Sequence, residues 1–148
     1  VIGLFEGSIE KLVALAALMP IIAGIGGNSG NQTITMIVRA MAMGQMDGNS
    51  GKRLLRKEMG VALINGLVWG GIMGVVAWWL YGNPALGLVM TAATTLNLLL
   101  AASMGVIIPM TMQHFGRDPA LGSSVMITAC TDSGGFFIFL GLASLFLV

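Results

Sequence analysis

Charged residues make up only 9% of this 148-residue chain, whereas a soluble domain carries roughly 25%. So few polar groups cannot clothe a water-exposed surface. The composition therefore excludes an ordinary soluble domain and calls for lipid as the solvent. Cysteine is nearly absent. Cys130 stands alone and cannot close an intramolecular disulfide, so no disulfide framework exists. With one cysteine and one histidine, no Cys–His zinc or iron centre can be assembled. His114, beside Arg117 in a polar break, reads as a solvated loop residue rather than a ligand. The glycine-rich stretch lacks the Lys-Ser/Thr pair of a phosphate loop, so no ATP-driven chemistry is indicated. A net charge of +1 gives no argument for a nucleic-acid partner, and none is expected.

What is present is apolar sequence: 56% hydrophobic residues, including twelve methionines that read as space-filling side chains rather than soft-metal ligands. Four segments approach or exceed the ~20 residues needed to cross a bilayer, at about 12–43, 59–81, 84–112 and 119–148. Residues 1–6 read as the tail of a preceding apolar helix. The expected fold is an all-α membrane bundle, with residues 1–148 forming one domain. The breaks are a polar turn-rich stretch at 47–53, the tight turn Tyr81-Gly82-Asn83-Pro84, and a third at 113–119. Pro119 suits the first turn of the last helix.

Arg39, Lys52, Arg53, Arg56 and Lys57 surround the first break and Arg117 lies in the third, while the Tyr81–Pro84 turn has no basic residue. The positive-inside rule places the basic breaks in the cytoplasm and the C-terminus outside it. The expected location is the bacterial inner (plasma) membrane, as a multi-pass protein. Trp78, Trp79 and Tyr81 then fall at the outer interface, where an aromatic belt belongs. Gly66, Gly70 and Gly74 recur every four residues and predict a close helix contact. Asn97, with Thr94 and Thr95, predicts interhelical hydrogen bonding.

Two features point to chemistry. Asp132 lies about 13 residues into the fourth segment, roughly 20 Å along a helix. A carboxylate at that depth costs about 2.5–3.5 kcal/mol unless it is wet or protonated. Leu121, Ser124, Thr128, Asp132 and Gly135 fall within one helical stripe, small or polar for the most part. Such a stripe suits a cation path; the competing reading is a protonated acid buried in a helix contact. The second feature runs from Gly24 to Thr33. It is too polar for lipid and too glycine-rich for a regular helix, so a locally loosened backbone is expected. Asn28, Asn31 and Thr35 share a face there, with Gln32 beside them. These residues fit ion-facing groups and helix-packing glue equally well. Oxygen donors without Cys or His suit hard cations such as Mg2+ or Ca2+. One Asp per chain suits a hydrated Mg2+ if two chains meet on a two-fold axis, which predicts a homodimer.

Pro20 followed by Gly26-Gly27-Asn28-Ser29-Gly30-Asn31-Gln32, Lys57-Glu58-Met59-Gly60, Asp118-Pro119-Ala120-Leu121 and Thr131-Asp132-Ser133-Gly134-Gly135 together resemble the MgtE magnesium channel family. The resemblance covers essentially the whole chain. It implies five transmembrane helices per protomer, the first largely missing here, in a homodimer whose second and fifth helices line the pore. It implies that Asp132 binds hydrated Mg2+, with Mn2+, Co2+ or Ca2+ as candidates for the same site. Asn31 and Leu121 would form the cytoplasmic constriction, Asp118 would stand near its mouth, and Glu10 towards the outer side. Thr128 and Ser124 replace the Ala and Asn common in the family, yet keep a small or polar lining. The resemblance also implies upstream cytosolic Mg2+-sensing domains that this chain does not include.

The function expected is channel-type passage of hydrated Mg2+ into the cytoplasm. The nearest alternative is a carrier exchanging Mg2+ for Na+ or H+; a purely structural bundle is a further one. An intramembrane enzyme using Asp118 and Asp132 is disfavoured, because fourteen residues span about 21 Å of helix.

Overall fold

A computed structural model of the chain describes residues 13–42, 50–82, 84–118 and 122–146. They form four α-helices: α1 (Val13–Ala42), α2 (Ser50–Tyr81), α3 (Pro84–His114) and α4 (Ser123–Phe146). Among the described residues, three helices are long and apolar enough to cross a membrane: α2 from Lys52, α3 and α4. At 30 residues α1 has the length. Its glycine, asparagine and glutamine stretch sets its composition apart.

The connections follow from local stereochemistry. Gly82 adopts φ 65° and its N–H bonds the Trp78 carbonyl at 2.7 Å, ending α2. Pro84 then opens α3 in the first-turn position that its missing N–H favours. At the other end of α3, Gly116 has φ 75°, Gly116 N–H bonds Gln113 O at 3.0 Å, and Arg117 N–H bonds Met112 O at 2.9 Å. That is the paired bond pattern of a Schellman cap.

The long, thoroughly buried helix α3 is the hub. It packs against each of the other three, and α1 also packs against α4. Towards the Trp78 end, Ile22, Met90, Ala93, Phe139 and Leu140 meet in a core drawn from α1, α3 and α4, with Ala77 of α2 closing it. Towards the basic end, Ile34, Ile108 and Ile127 form a smaller one. The outer side of α2 carries Ile64, Leu67, Val68, Val75 and Trp79, all exposed, as a lipid-facing surface would.

The Gly66–Gly70–Gly74 face packs on α3 as its spacing predicts. A Cβ on Gly66 would lie 2.6 Å from Thr95 Cα, and one on Gly74 would lie 2.6 Å from the Gly87 carbonyl oxygen. In this seam the Thr91 hydroxyl donates to Gly70 O at 2.9 Å.

Two expectations change. The Gly24–Thr33 stretch is not loosened, because α1 runs unbroken through it. Gly26, Gly27 and Gly30 face Asn97, Thr131 and Ile127 closely enough that this packing offsets poor helix propensity. Unpaired backbone groups at membrane depth would also cost several kcal/mol each. Second, the turn-rich break expected at 47–53 is already helical from Ser50, where α2 begins, because Lys52, Arg53, Arg56 and Lys57 are good helix formers that need no lipid. Hydropathy marks where a helix enters lipid rather than where it starts.

Candidate cation-facing site

The site is built by α1 and α4, which run antiparallel and interlock through small residues. Gly30 faces Ile127, and one turn away Gly27 faces Thr131, whose hydroxyl oxygen lies 3.6 Å from a Cβ position on that glycine. This register sets Asn28 on α1 between the levels of Thr128 and Asp132 on α4. Close approach leaves one continuous polar face on the outside of the pair. Asn28, Thr35, Ser124 and Thr128 are exposed on it, and Asn31 and Asp132 are half-buried at its edges.

One bond ties the two helices at this face: Ser124 Oγ donates to Asn31 Oδ1 at 2.7 Å. The threonine hydroxyls turn their protons inward. Thr35 donates to Asn31 O at 2.9 Å and Thr128 donates to Ser124 O at 2.9 Å. Their lone pairs are left for whatever lies outside. Asp132, two helical turns or about 12 Å along α4 from Ser124, adds a carboxylate. The two threonines and Asp132 therefore turn acceptor oxygens outward on this face. Among the described residues no three His, Cys, Asp or Glu side chains gather in a metal-holding cluster. Among the described residues, Asp132 is the carboxylate on this face, with amide and hydroxyl groups around it.

The structure redistributes some expected lining residues. Gly135 is buried, and a Cβ there would stand 2.7 Å from Asn97 Nδ2. It belongs to the packing seam and not to the exposed face, because Asn97 of α3 packs against it. Gln32 is exposed and, with Asn28, Ser29 and Asn65, lines a groove of about 270 Å3 between α1 and α2, so that Asn28 borders both this groove and the α1–α4 face. Asp118 lies exposed in the turn after α3. Glu10, Leu121 and residues 1–6 lie outside the described residues.

Behind the face sits Asn97, 1% exposed, wedged between Gly26 of α1 and Gly135 of α4. Its Nδ2 donates to Ile22 O at 3.1 Å while its Oδ1 finds no partner among the described residues. The interhelical hydrogen bond expected of Asn97 is present. Asn65 and Glu58 were not anticipated as polar features of α2. Their seven-residue separation, which puts them on one helix face, was the available signal.

The sequence pattern of MgtE, described as divalent cation transporter, matches residues 19–142. The chain belongs to the MgtE family. Among its relatives, the "Magnesium transporter MgtE" of Thermus thermophilus is 36% identical over 143 residues, covering 97% of this chain and 32% of the relative. The Bacillus subtilis protein of the same name is 30% identical over 147 residues, covering 99% and 33%. That of Enterococcus faecalis is 35% identical over 145 residues, covering 97% and 32%. The chain thus spans about a third of the length of the curated relatives it matches.

Proposed function

We propose that this chain forms the membrane path of a magnesium channel, in which two copies bring their α1–α4 faces together around a hydrated Mg2+ moving towards the cytoplasm. The observation that carries the reading is the direction of the hydroxyl protons. Thr35 and Thr128 spend theirs on their own helices, so the face offers lone pairs and a carboxylate. The water shell of a cation presents only O–H donors outward, and such a face receives it. Mg2+ sheds water reluctantly and is commonly held by one or two carboxylates through retained waters. The "Magnesium transporter" name of the three relatives supports the choice of ion.

Electrostatics sets the scale. A divalent ion about 5 Å from one carboxylate gains about 1.7 kcal/mol even at the dielectric constant of water. Two such carboxylates across a two-fold axis supply about 3 kcal/mol, on the order of 100-fold in occupancy. An inside-negative potential adds about 4.6 kcal/mol per 100 mV for a divalent ion. Uphill coupling is therefore not required for entry.

The test is Mg2+ uptake into proteoliposomes by the wild type and by Asp132→Asn. Uptake should fall by roughly two orders of magnitude while the dimer still assembles. Uptake of unchanged rate and selectivity sinks the assignment. Single-channel current steps distinguish a channel from a carrier, whose flux would stop when the counter-ion is removed.

A further inference from the structure

α1 and α2 part around the groove floored by Leu98 and walled by Trp69 and Met73. On the basic side of that groove a side chain of α2 reaches across. Thr33, 5% exposed on α1, donates its hydroxyl to Ser29 O at 3.2 Å and to Glu58 Oε2 at 3.3 Å. Thr33 cannot swing away, because Gly105 of α3 stands against it: a Cβ on Gly105 would lie 2.8 Å from Thr33 Cβ. Glu58 is itself half-buried. Counting the ~20 residues of a hydrocarbon span back from Trp78 reaches Glu58. An acid is thus placed at the lipid boundary, where burying its charge is costly. Yet the bond back to Ser29 alone would already satisfy Thr33. The one hydroxyl proton of Thr33 is shared between the Ser29 carbonyl of its own helix and the Glu58 carboxylate of α2, and only the second of these ties two helices together.

The helical wheel indicates what that tie does. Thr33 follows Asn31 by two residues, about 200° around the axis at nearly the same level. Asn31 is tied to α4 through Ser124 on one side, and Thr33 is tied to α2 through Glu58 on nearly the opposite side. Two bonds on opposite flanks at one level fix the rotation of a helix about its own axis. Gly26, Gly27 and Gly30 interlock with Asn97, Thr131 and Ile127 on the α3 and α4 side, and the Thr33–Glu58 bond adds a hold from α2.

We propose that Glu58 is a positioning residue: through Thr33 it sets the rotation of α1 that presents Asn31 and Asn28 to the ion path. The proposal rests on the reading of the α1–α4 face as that path. Glu58 itself meets no ion in this role; its acceptor oxygen matters and its charge does not.

The experiment is a double-mutant cycle with a conservative arm: Glu58→Ala, Thr33→Val, the double variant, and Glu58→Gln, all in the full protein. Two readouts are taken, detergent thermal unfolding and the initial Mg2+ uptake rate across Mg2+ concentrations. Each single change should lower the maximal uptake rate about threefold to tenfold, the size of one lost interhelical hydrogen bond. Half-saturation should move by less than about twofold, since Asp132 is intact. The double variant should be no slower than the worse single one, and Glu58→Gln, whose amide oxygen still accepts, should recover most of the rate. In unfolding, the two single changes should be non-additive. Additive effects in both readouts, or a Thr33→Val protein with wild-type uptake, overturn the proposal. So does Glu58→Gln failing as badly as Glu58→Ala, since that would make the charge itself the working part. Asp132→Asn, run alongside, separates the two failures: if it still abolishes uptake, the ion path stands when the positioning role falls.

Discussion

Gly74 and Gly71 sit three residues apart on α2 and offer a matched pair of substitutions. A Cβ on Gly74 would lie 2.6 Å from Gly87 O and would also strike Thr91 Oγ1, whereas a Cβ on Gly71 meets nothing within 4 Å. An ordinary carbon–oxygen contact needs about 3.2 Å, so Gly74→Ala forces the α2–α3 seam open by roughly 0.6 Å, an overpacking that costs about 1–3 kcal/mol. Widening the seam also stretches the Thr91–Gly70 hydrogen bond of 2.9 Å, and interhelical bonds of this kind contribute about 0.6 kcal/mol on average. The total loss is about 2–4 kcal/mol. Gly71→Ala changes only backbone freedom and should gain up to about 1 kcal/mol. The assay is reversible unfolding in mixed detergent–SDS micelles. All three tryptophans, Trp69, Trp78 and Trp79, lie on α2 and are exposed, so their fluorescence reports its separation from α3. If the two variants unfold at the same SDS fraction, close backbone contact is not what holds this pair of helices.

Two further outcomes follow from the site. Gly135→Ala should lose about 1–3 kcal/mol of stability, and Asn97→Ala in the same chain should restore most of it by vacating the space; a lining role for Gly135 would instead change uptake with no shift in the unfolding midpoint. Thr128→Val keeps the side-chain shape but removes an outward lone pair, so Mg2+ uptake should fall about threefold to tenfold while the midpoint moves by less than about 0.5 kcal/mol.

The sequence announced features that depend on one helix at a time. Tyr81-Gly82-Asn83-Pro84 could be read as a turn because Gly82 must take a positive φ and Pro84 lacks a donor. The Gly66–Gly70–Gly74 repeat could be read as a seam because helical spacing alone stacks it. Asp132 stood out because an acid is costly in hydrocarbon. What depended on a second helix was hidden. The glycines of α1 looked like a break, and only Asn97, Thr131 and Ile127 packed against them explain a continuous helix. Gly135 shared a stripe with Asp132 on an ideal wheel, yet the neighbouring Asn97 claims it. The tie between Glu58 and Thr33 was not visible in the sequence, because the hydroxyl that Glu58 accepts from lies 25 residues away on another helix.

The α1–α4 face also constrains how the chain is used. Asn28, Thr35, Ser124 and Thr128 are exposed in a bundle whose α2 turns Leu, Ile, Val and Trp outward. Hydrocarbon cannot satisfy their polar groups, and a carboxylate beside them makes lipid exposure costlier still. The face must therefore meet water or more protein. Water alone would need a wall on the far side, which the described helices do not supply. In the proposed dimer a second copy related by a two-fold axis would supply that wall with the same residues, since an isologous contact sets each patch against itself. It also brings two Asp132 carboxylates to one axis, where mutual repulsion between bare acids would disfavour assembly. A divalent ion with its water shell between them removes that repulsion. On the proposed arrangement, Mg2+ should thus strengthen dimerisation of the wild type in detergent and leave Asp132→Asn, which has no charges to bridge, indifferent to the ion. Sedimentation with and without Mg2+ measures both. An equal response from the two proteins would mean that Asp132 does not face its copy across the axis.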